Sequence, residues 1–589
     1  MNNQHHVRQH EEKSFTATDR TQLFYRYWPA STQQPKGALV LFHRGHEHSG
    51  RMQHVVQELS LPEYACFAWD ARGHGHSPGE RGYSPSLSTS VRDIDNFIHH
   101  ISSVYSISIE NIVVIAQSVG AVLVSTWVHD YAPNIRGMVL ASPAFKVKLY
   151  VPFARSFLKL RQCIQGNFFV NSYVKAKFLT HDPERIASYQ ADPLISRPIA
   201  SHILLSLYDT ADRIVSDAAA IVVPTQLLVS GSDFVVHQQP QQQFYENLGS
   251  TTKEIHVFEG FYHDTLGELD RGQAIDKARN FINQLFAHPI TKPDLTQADK
   301  TGFTQLESEQ LAAPLTPYSI RGIYWSLTRL GLKIGGWFSK GIKLGHQTGF
   351  DSGSTLDYVY ENKPRGFSFL GRFFDKCYLN SIGWRGIRQR KINIETLIQK
   401  ASTLLRQDNK PVHIMDIAAG HGRYVLEAIE KSQHKPDSIL LRDYSPLNVE
   451  QGGALIKTKK LESIAKFVKA DAFSLDSYQQ LETKPTVGVV SGLYELFKEN
   501  HLIQTSLQGF AQSIEPGGYL IYTGQPWHPQ LEMIARALTS HRQGQAWVMR
   551  RRTQAELDQL VEQAGFKKVD QLIDEYGIFT VSLAQRIQN

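Results

Sequence analysis

Ala116-Gln117-Ser118-Val119-Gly120 follows an apolar run, Ile112-Val113-Val114-Ile115, and precedes Ala121 to Trp127, a stretch able to turn as a helix. A strand, a turn of small residues around a serine, then a helix is the layout of a nucleophile elbow. The sharp turn lifts the serine Oγ above the sheet and leaves the next backbone N–H free to stabilise an oxyanion. The usual pattern is G-x-S-x-G, and Ala116 stands where the first glycine belongs. A small residue is needed there because backbone elements approach closely, and a methyl is the smallest departure from glycine. The pentapeptide alone fits an ordinary strand-to-helix turn equally well, so the rest of the chain has to decide.

At 589 residues the chain is too long for one ordinary domain. An apolar content of 41% and a charged content of 20% describe globular protein with ample material for cores. The net charge of +6 is small for this length and points to neither nucleic acid nor membrane as a global partner. Cys66, Cys163 and Cys377 lie far apart, with no metal spacing, and an odd count argues against a disulfide framework. The N-terminus, Met-Asn-Asn-Gln-His-His, is polar and has no apolar signal core. No run of about twenty apolar residues exists to span a bilayer. The expected compartment is the reducing cytoplasm.

Working outward from the elbow, residues 1–290 alternate strands and helices. Phe24–Trp28, Gly37–Phe42, Ala65–Trp69, Ile135–Ala141, Gln226–Ser230 and Glu254–Phe258 read as strands, and Val91, Ile94 and Phe97-Ile98 recur at helical spacing. This alternation predicts a mostly parallel sheet covered on both faces. A serine hydroxyl needs a base to become a useful nucleophile, and the base needs an orienting acid. Ser118, Asp233 (in Gly231-Ser232-Asp233) and His263 (in Tyr262-His263-Asp264) follow in the order Ser, Asp, His. Each sits just beyond a predicted strand, where the active sites of such sheets lie.

These segments, together with H-x-G-x-E-H-S-G-R at 43–51 and D-x-R-G-H-G-x-S-x-G at 70–79, resemble the α/β-hydrolase fold, and within it the monoglyceride lipase and lysophospholipase group. The resemblance implies Ser118, Asp233 and His263 as catalytic triad. Matching the lipase pattern H-G-x-G places the Gly45 N–H beside the Val119 N–H in the oxyanion hole. Arg44 and His46 replace glycines of that pattern, crowding or charging the hole, and predict altered substrate choice. Residues 145–220 interrupt the sheet order and read as a mostly helical cap over the serine. Caps of this group bind acyl chains, so a lipid-like ester is the expected substrate. His43, His46, His48, His74 and His76 crowd two loops, but no carboxylate or cysteine partner has ligand spacing, and no metal is expected.

Residues 291–317 are polar and proline-punctuated and read as a linker. Residues 318–400 then form a basic, helical lead-in. From Leu311 to Phe350 there is no Asp or Glu, while Arg321, Arg329, Lys333, Lys340 and Lys343 are present. Ile320, Ile323, Tyr324, Leu327, Leu330, Ile334, Trp337 and Phe338 share one helical face. A basic amphipathic helix with Trp and Phe on its apolar side suits peripheral contact with the inner face of a membrane through 318–345. It suits packing against a catalytic unit equally well. Lead-ins such as 355–400 commonly cover the site of the domain that follows.

In residues 401–589, the strand Pro411–Asp416 runs into Ile417-Ala418-Ala419-Gly420-His421-Gly422 and a helix, and the next strand ends at Asp443. A glycine turn into a helix, with an acid about twenty residues on, is a nucleoside-binding layout and by itself fits a dinucleotide site. A third acid, Asp471, follows another strand. Val487–Gly492 and the Pro-Gly-Gly turn at 516–518 supply two more strands, and two closing strands follow near the C-terminus. This set resembles the class I S-adenosylmethionine-dependent methyltransferases, with a Rossmann-like fold. The resemblance implies S-adenosyl-L-methionine as cofactor, with Asp416 and Gly420–Gly422 lining its amino-acid moiety, Asp443 accepting from the ribose hydroxyls, and Asp471 and Ala472 meeting the adenine. Ala418 departs from D-x-G-x-G-x-G, which places cofactor affinity in question.

Ser491-Gly492-Leu493-Tyr494-Glu495 lacks the N/D-P-P-Y pattern of base amino methylation, and no Pro-Cys nucleophile appears. The expected acceptor is therefore small or lipidic, positioned by Tyr494, Glu495 or His528, and no nucleic acid is expected. The overall expectation is a bifunctional hydrolase and methyltransferase acting in one lipid-related pathway. The alternative is that one half is catalytic and the other binds a ligand or regulates.

Overall fold

The computed structural model describes residues 8–432, 435–542 and 544–587; the polar N-terminal hexapeptide lies outside them. The chain divides into two compact units, Met1–Pro293 and Asp294–Asn589.

The first unit is built on β1 (Glu11–Thr16), β2 (Gln22–Trp28), β3 (Ala38–Phe42), β4 (Ala65–Trp69), β5 (Ile112–Gln117) and β6 (Gly137–Ala141), then β7 (Phe169–Asn171), β8 (Pro198–Ala200), β9 (Thr225–Ser230) and β10 (Lys253–Phe258). Eight of these strands form one sheet in the order β1-β2-β4-β3-β5-β6-β9-β10. The β1–β2 and β2–β4 pairs are antiparallel and the others parallel. Every residue of β3, β4, β5 and β6 is buried, which is why these strands read as unbroken apolar runs: helices cover both faces of the sheet. Helix α1 (Val119–Tyr131) starts at the elbow and is buried over nearly its whole length. The cap lies between β6 and β9. It comprises α2 (Ala154–Gln165), the small antiparallel β7–β8 pair and α3 (Ser201–Ser216), so the expected helical cap also carries a two-stranded sheet.

The second unit begins earlier than its first strand. Residues read as a linker contain a helix, α4 (Phe303–Ala312). It is anchored by Arg550 Nη1 to Thr304 Oγ1 (2.8 Å) and by Arg551 to Glu307 (2.5 Å). The basic segment forms α5 (Ile320–Phe338) and α6 (Lys340–Thr348), broken at Ser339, whose Oγ caps α6 by accepting from Ile342 N. Helices α7 (Gly353–Glu361), α8 (Ser368–Leu379) and α9 (Ile382–Gln407) complete the lead-in.

The sheet of this unit contains β11 (His413–Ile417), β12 (Ser438–Asp443), β13 (Ala465–Lys469), β14 (Val487–Val490), β15 (Tyr519–Gly524), β16 (Phe566–Ile573) and β17 (Thr580–Arg586). Helix α10 (Arg423–Glu430) follows β11. The strand order is β13-β12-β11-β14-β15-β17-β16, with β17 antiparallel to both neighbours and the rest parallel. That is the Rossmann order with an antiparallel strand inserted near one edge, and the crevice outside β11, β12 and β14 is where such a sheet binds ligands. Among the described residues no helix is long and apolar enough to cross a membrane.

Candidate functional site

In the first unit, Ser118 sits between β5 and α1 with φ +54° and ψ −115°, a conformation that L-residues avoid. Gly120 permits the turn: a Cβ there would lie 2.5 Å from the His43 carbonyl oxygen. Ala116, by contrast, pairs within the sheet against Phe42 and Leu140 and leaves the turn intact. The Ser118 hydroxyl donates to His263 Nε2 (2.7 Å), and His263 Nδ1–H donates to Asp233 Oδ2 (2.8 Å). Asp233 Oδ1 accepts from the N–H groups of Val235 (2.6 Å) and Val236 (2.9 Å). Burial pushes the Asp233 carboxyl upward, but His263 and these N–H groups outweigh it and hold it below its ordinary value. Three residues far apart in sequence are thus brought into one hydrogen-bonded chain.

Gly45 and Val119 face each other: a Cβ on Gly45 would be 3.2 Å from Val119 Cγ2. Val119 is the first residue of α1, where a backbone N–H has no partner within the helix. Both residues line the same cavity as Ser118 and His263.

The two residues expected to crowd or charge this hole do line the cavity, but they do not charge it. Arg44 is buried and donates to Glu47 (2.7 Å), with Asp264 Oδ2 3.8 Å away. Asp264 also accepts from Arg185 Nη2 (2.8 Å) and from Gln117 Nε2 (3.0 Å). Three cations, Arg44, Arg185 and Arg51 (Nε 3.3 Å from Glu47 Oε1), therefore meet two carboxylates, and Asp264 ties the elbow, the Arg44 loop and the His263 loop together. Burial opposes charge on Asp264, yet Arg185 and Arg44 hold its carboxyl far below the carboxylate range. His46 is buried and pushed down to about 4 by that burial, so it is neutral. His43 accepts from Ala71 N through Nε2 (3.0 Å) and holds the Arg44 carbonyl through Nδ1 (2.7 Å). The histidine-rich loops are thus stitched by structural hydrogen bonds. The cavity in front of Ser118 measures about 760 Å³, and its walls are the cap residues Leu149, Val151, Phe157, Leu158, Leu204 and Leu207 among others.

In the second unit a cavity of about 700 Å³ lies at the ends of β11 and β12. Ala418, Gly420, Gly422, Asp443, Asp471 and Ala472 all line it. Asp416 does not. It is fully buried on β11 beside the Tyr424 hydroxyl, and burial pushes its pKa well above the carboxylate range. The expectation that Asp416 touches a ligand is corrected: it lies behind the cavity wall.

Gly422 (φ +71°) is required, since a Cβ would meet Leu441 Cδ1 at 2.4 Å. Ala418 takes φ +52°, the region that glycine enters without strain. Asp443 shapes the loop as well as facing the cavity: Oδ2 accepts from Gly420 N (2.9 Å), and Oδ1 from Ser445 N (2.9 Å) and Asn448 Nδ2 (3.0 Å). An ionised carboxylate has about four acceptor sites, so capacity for a ligand hydroxyl remains. Asp471 Oδ1 accepts from Phe473 N (2.9 Å), which turns the chain at the third strand end.

The lead-in closes the other side. Gly353, Leu356, Asp357 and Tyr360 of α7 line the cavity, and Asp357 clamps Arg423 with two hydrogen bonds (2.6 and 2.9 Å). Against burial, Arg423 and His421 lower Asp357 to about 2. The sequence offered no signal for the Asp357–Arg423 clamp or for the Arg44 quartet, because their members meet only in the fold. The glycines, unpartnered carboxylate capacity and strand-end acids suit a nucleoside-bearing cofactor of the expected kind.

Residues 278–586 match the family model described as "Putative methyltransferase", and residues 33–270 match that of "Serine aminopeptidase, S33". The chain is 56% identical over 578 residues to the uncharacterized protein YnbC of Escherichia coli (strain K12), covering 98% of this chain and 99% of that one. It is 25% identical to a monoacylglycerol lipase of Mycolicibacterium smegmatis over 46% of this chain and 96% of the lipase. It is 26% identical to the monoglyceride lipase of Rattus norvegicus over 46% of this chain and 88% of that enzyme. The chain carries an S33 α/β-hydrolase domain followed by a methyltransferase-family domain, and it belongs to the family described as "Putative methyltransferase".

Proposed function

We propose that the first unit is a serine ester hydrolase acting on a lipid-like ester of the monoacylglycerol or lysophospholipid type. The observation that carries this reading is the Ser118–His263–Asp233 hydrogen-bonded chain opening on a large apolar cavity. Ser118 Oγ attacks the ester carbonyl carbon as its proton passes to His263 Nε2, and Asp233 stabilises the imidazolium. The Gly45 and Val119 N–H groups receive the oxyanion. His263 then protonates the departing alcohol oxygen, and water, activated by the same imidazole, releases the acid. The acyl chain lies along the cap residues, where about 25 cal/mol per Å² of buried apolar surface favours binding. A fluorophosphonate probe is expected to label Ser118 in the full chain, and Ser118→Ala to abolish labelling and lower monoacylglycerol hydrolysis by about four orders of magnitude. Labelling at full stoichiometry in the variant refutes the assignment.

For the second unit the proposed activity is methyl transfer from S-adenosyl-L-methionine to a small or lipidic acceptor. When bound, this cofactor supplies an electrophilic methyl group on a sulfonium. Gly420 and Gly422 let the backbone approach it, Asp443 accepts from the ribose diol, and Asp471 with Ala472 borders the base. Titration calorimetry with S-adenosylhomocysteine is expected to show binding that Asp443→Ala weakens by about 10- to 100-fold, the worth of a charge-assisted hydrogen-bond pair. No heat up to millimolar ligand refutes it.

Exposed apolar side chains on α5, including Ile320, Leu327 and Trp337, stand beside Arg321, Arg329 and Lys333 in a segment without acids. This supports a cytoplasmic protein that touches the membrane surface peripherally. Replacing Ile320, Leu327 and Trp337 by Asp is expected to abolish flotation with anionic liposomes, and unchanged flotation refutes it.

A further inference from the structure

A second cavity of about 340 Å³ lies in the same unit as the proposed cofactor site. Asp351, Leu356, Gly492 and Leu496 line both cavities, so the two adjoin. Most of its wall is apolar: Ile342, Trp384, Ile387, Ile534 and Leu538 contribute. Polar side chains interrupt that wall, among them Asp351, Arg390, Glu495, Gln525 and His528, and each of these five is at least nine-tenths buried.

Their hydrogen bonding is incomplete. Arg390 Nε, Glu495 Oε2 and Gln525 Nε2 are buried with no partner, although such groups cost about 1–3 kcal/mol each when left unpaired. The other Glu495 oxygen accepts from Thr523 Oγ1 (2.9 Å), which fixes the carboxylate's direction. His528 Nδ1 accepts from Gln530 N (3.0 Å), so the neutral ring carries its proton on Nε2. Burial lowers its pKa to about 4, which keeps it neutral. Arg390 packs against Gly492, where a Cβ would be 3.1 Å from Nη2. The polar end of the cavity is therefore the end that meets the cofactor side.

We infer that this cavity is the methyl-acceptor site and that its acceptor is a neutral amphiphile, with an apolar body among the α6, α8 and α9 side chains and a head that offers an O–H to Glu495 Oε2 and an accepting oxygen to Gln525 and His528. This rests on the methyltransferase reading above and deepens it. Charge decides the head group. Arg390 and Glu495 lie 3.8 Å apart and balance one another, and the third charged wall residue, Asp351, is an acid that accepts from Ser540 Oγ and His541 N (2.6 Å each), so a carboxylate or phosphate head would bring an uncompensated charge into a buried site. On transfer, the acceptor oxygen forms a bond to the methyl carbon as the sulfur–methyl bond breaks, leaving a neutral thioether. The hydroxyl proton passes to Glu495 Oε2.

The way in is also marked. Phe374 and Cys377 of α8, both exposed, stand in the cavity wall together with Leu332 of α5. Phe369 and Phe373 on α8 and Leu327 and Leu330 on α5 are exposed as well, so the two helices that contribute these wall residues both present apolar side chains to solvent.

The test uses the full chain with Ser118→Ala, so that ester hydrolysis does not consume the substrates. With tritiated-methyl S-adenosylmethionine and a total bacterial lipid extract in mixed micelles, label is expected in a neutral lipid of the chloroform phase. Glu495→Gln and Leu538→Trp should each lower it more than about 50-fold while S-adenosylhomocysteine affinity stays within about twofold. The non-hydrolysable 1-O-dodecylglycerol should raise the melting temperature, whereas dodecanoate should not, and Leu538→Trp should remove that shift. On a Cys163→Ser chain, a bulky maleimide on Cys377 should block labelling. Label in a water-soluble product or an anionic lipid, labelling unaffected by Glu495→Gln, or no label despite normal S-adenosylhomocysteine binding overturns the inference. Loss of S-adenosylhomocysteine binding in the unmodified chain would instead refute the cofactor reading beneath it.

Discussion

The two sites occupy the same kind of address, the carboxyl ends of parallel strands, yet they differ in how their polar atoms are satisfied. Around Ser118 the base, the acid and the acid's second oxygen are all paired before any ligand arrives. In the second unit Glu495 Oε2, Arg390 Nε, Gln525 Nε2 and Ser491 Oγ are buried and unpaired. The difference follows from chemistry. A hydrolase carries its nucleophile on the chain and draws its second reactant from solvent, so its triad can be completed by the fold alone, although Arg44 Nε in the same cavity wall is left open. A transferase brings together two foreign molecules, and polar groups left open in the fold are the ones those molecules complete.

The largest effect that can break this contrast is on rate. Asp233→Asn should reduce ester turnover by about 10⁴-fold through the wrong histidine tautomer while leaving S-adenosylhomocysteine affinity unchanged. A loss below tenfold would show that the network around Ser118 is not the working one. The next effect is on stability. Arg44→Gly restores the family's residue and takes one cation from Glu47, which keeps Arg51, and from Asp264, which keeps Arg185, so it should destabilise the first unit by about 1–3 kcal/mol in urea unfolding. Adding Glu47→Gln should recover part of that loss, and a neutral single variant would refute the quartet's role.

Acid should act more broadly. His46 and His74 titrate at about 4 and about 3 in the fold, below the ordinary 6.5, because they are buried. Depressed values mean that their stabilising effect is whole above the unfolded value and drains away as pH falls toward 4. His528, at about 4, adds the same sign in the second unit. Pulse proteolysis at about pH 7.5 and about pH 5 should show both units weakened, the first more, on the order of a few kcal/mol. The smallest effect is at Ala418. Ala418→Gly should relieve the φ +52° strain and stabilise the second unit by about 1 kcal/mol, measured by thermal unfolding.

Much of this was legible because chain order and strand ends carry the information. Ser118, Asp233 and His263 each follow an apolar run, and each run is a strand in the fold. Gly420, Gly422 and Asp443 were legible for the same reason. Asp416 was misplaced because a motif gives position along a strand and not the face a side chain takes. The edge strand β1 escaped notice because only Phe15 interrupts a charged and polar stretch, and an edge needs little apolar pattern. Helix α4 was hidden by prolines at 293, 314 and 317, while the arginines that hold it lie some 250 residues away in sequence. Arg390 sits among Arg385, Arg388 and Lys391, a run that resembles a solvated face until the helix is seen to be buried.

The quartet of Arg44, Glu47, Arg185 and Asp264 also constrains how such sequences can drift. Loss of one cation leaves a buried carboxylate with less compensation, and loss of a carboxylate leaves a surplus of buried positive charge, so single steps away from the set pass through weakened proteins. A lineage carrying arginine before its oxyanion glycine should carry acids at the positions of 47 and 264 and a cation at 185. A lineage with glycine there loses the cation shared by both acids and depends the more on those at 51 and 185. Covariation among these positions would thus record the history of one electrostatic bargain struck beside the nucleophile.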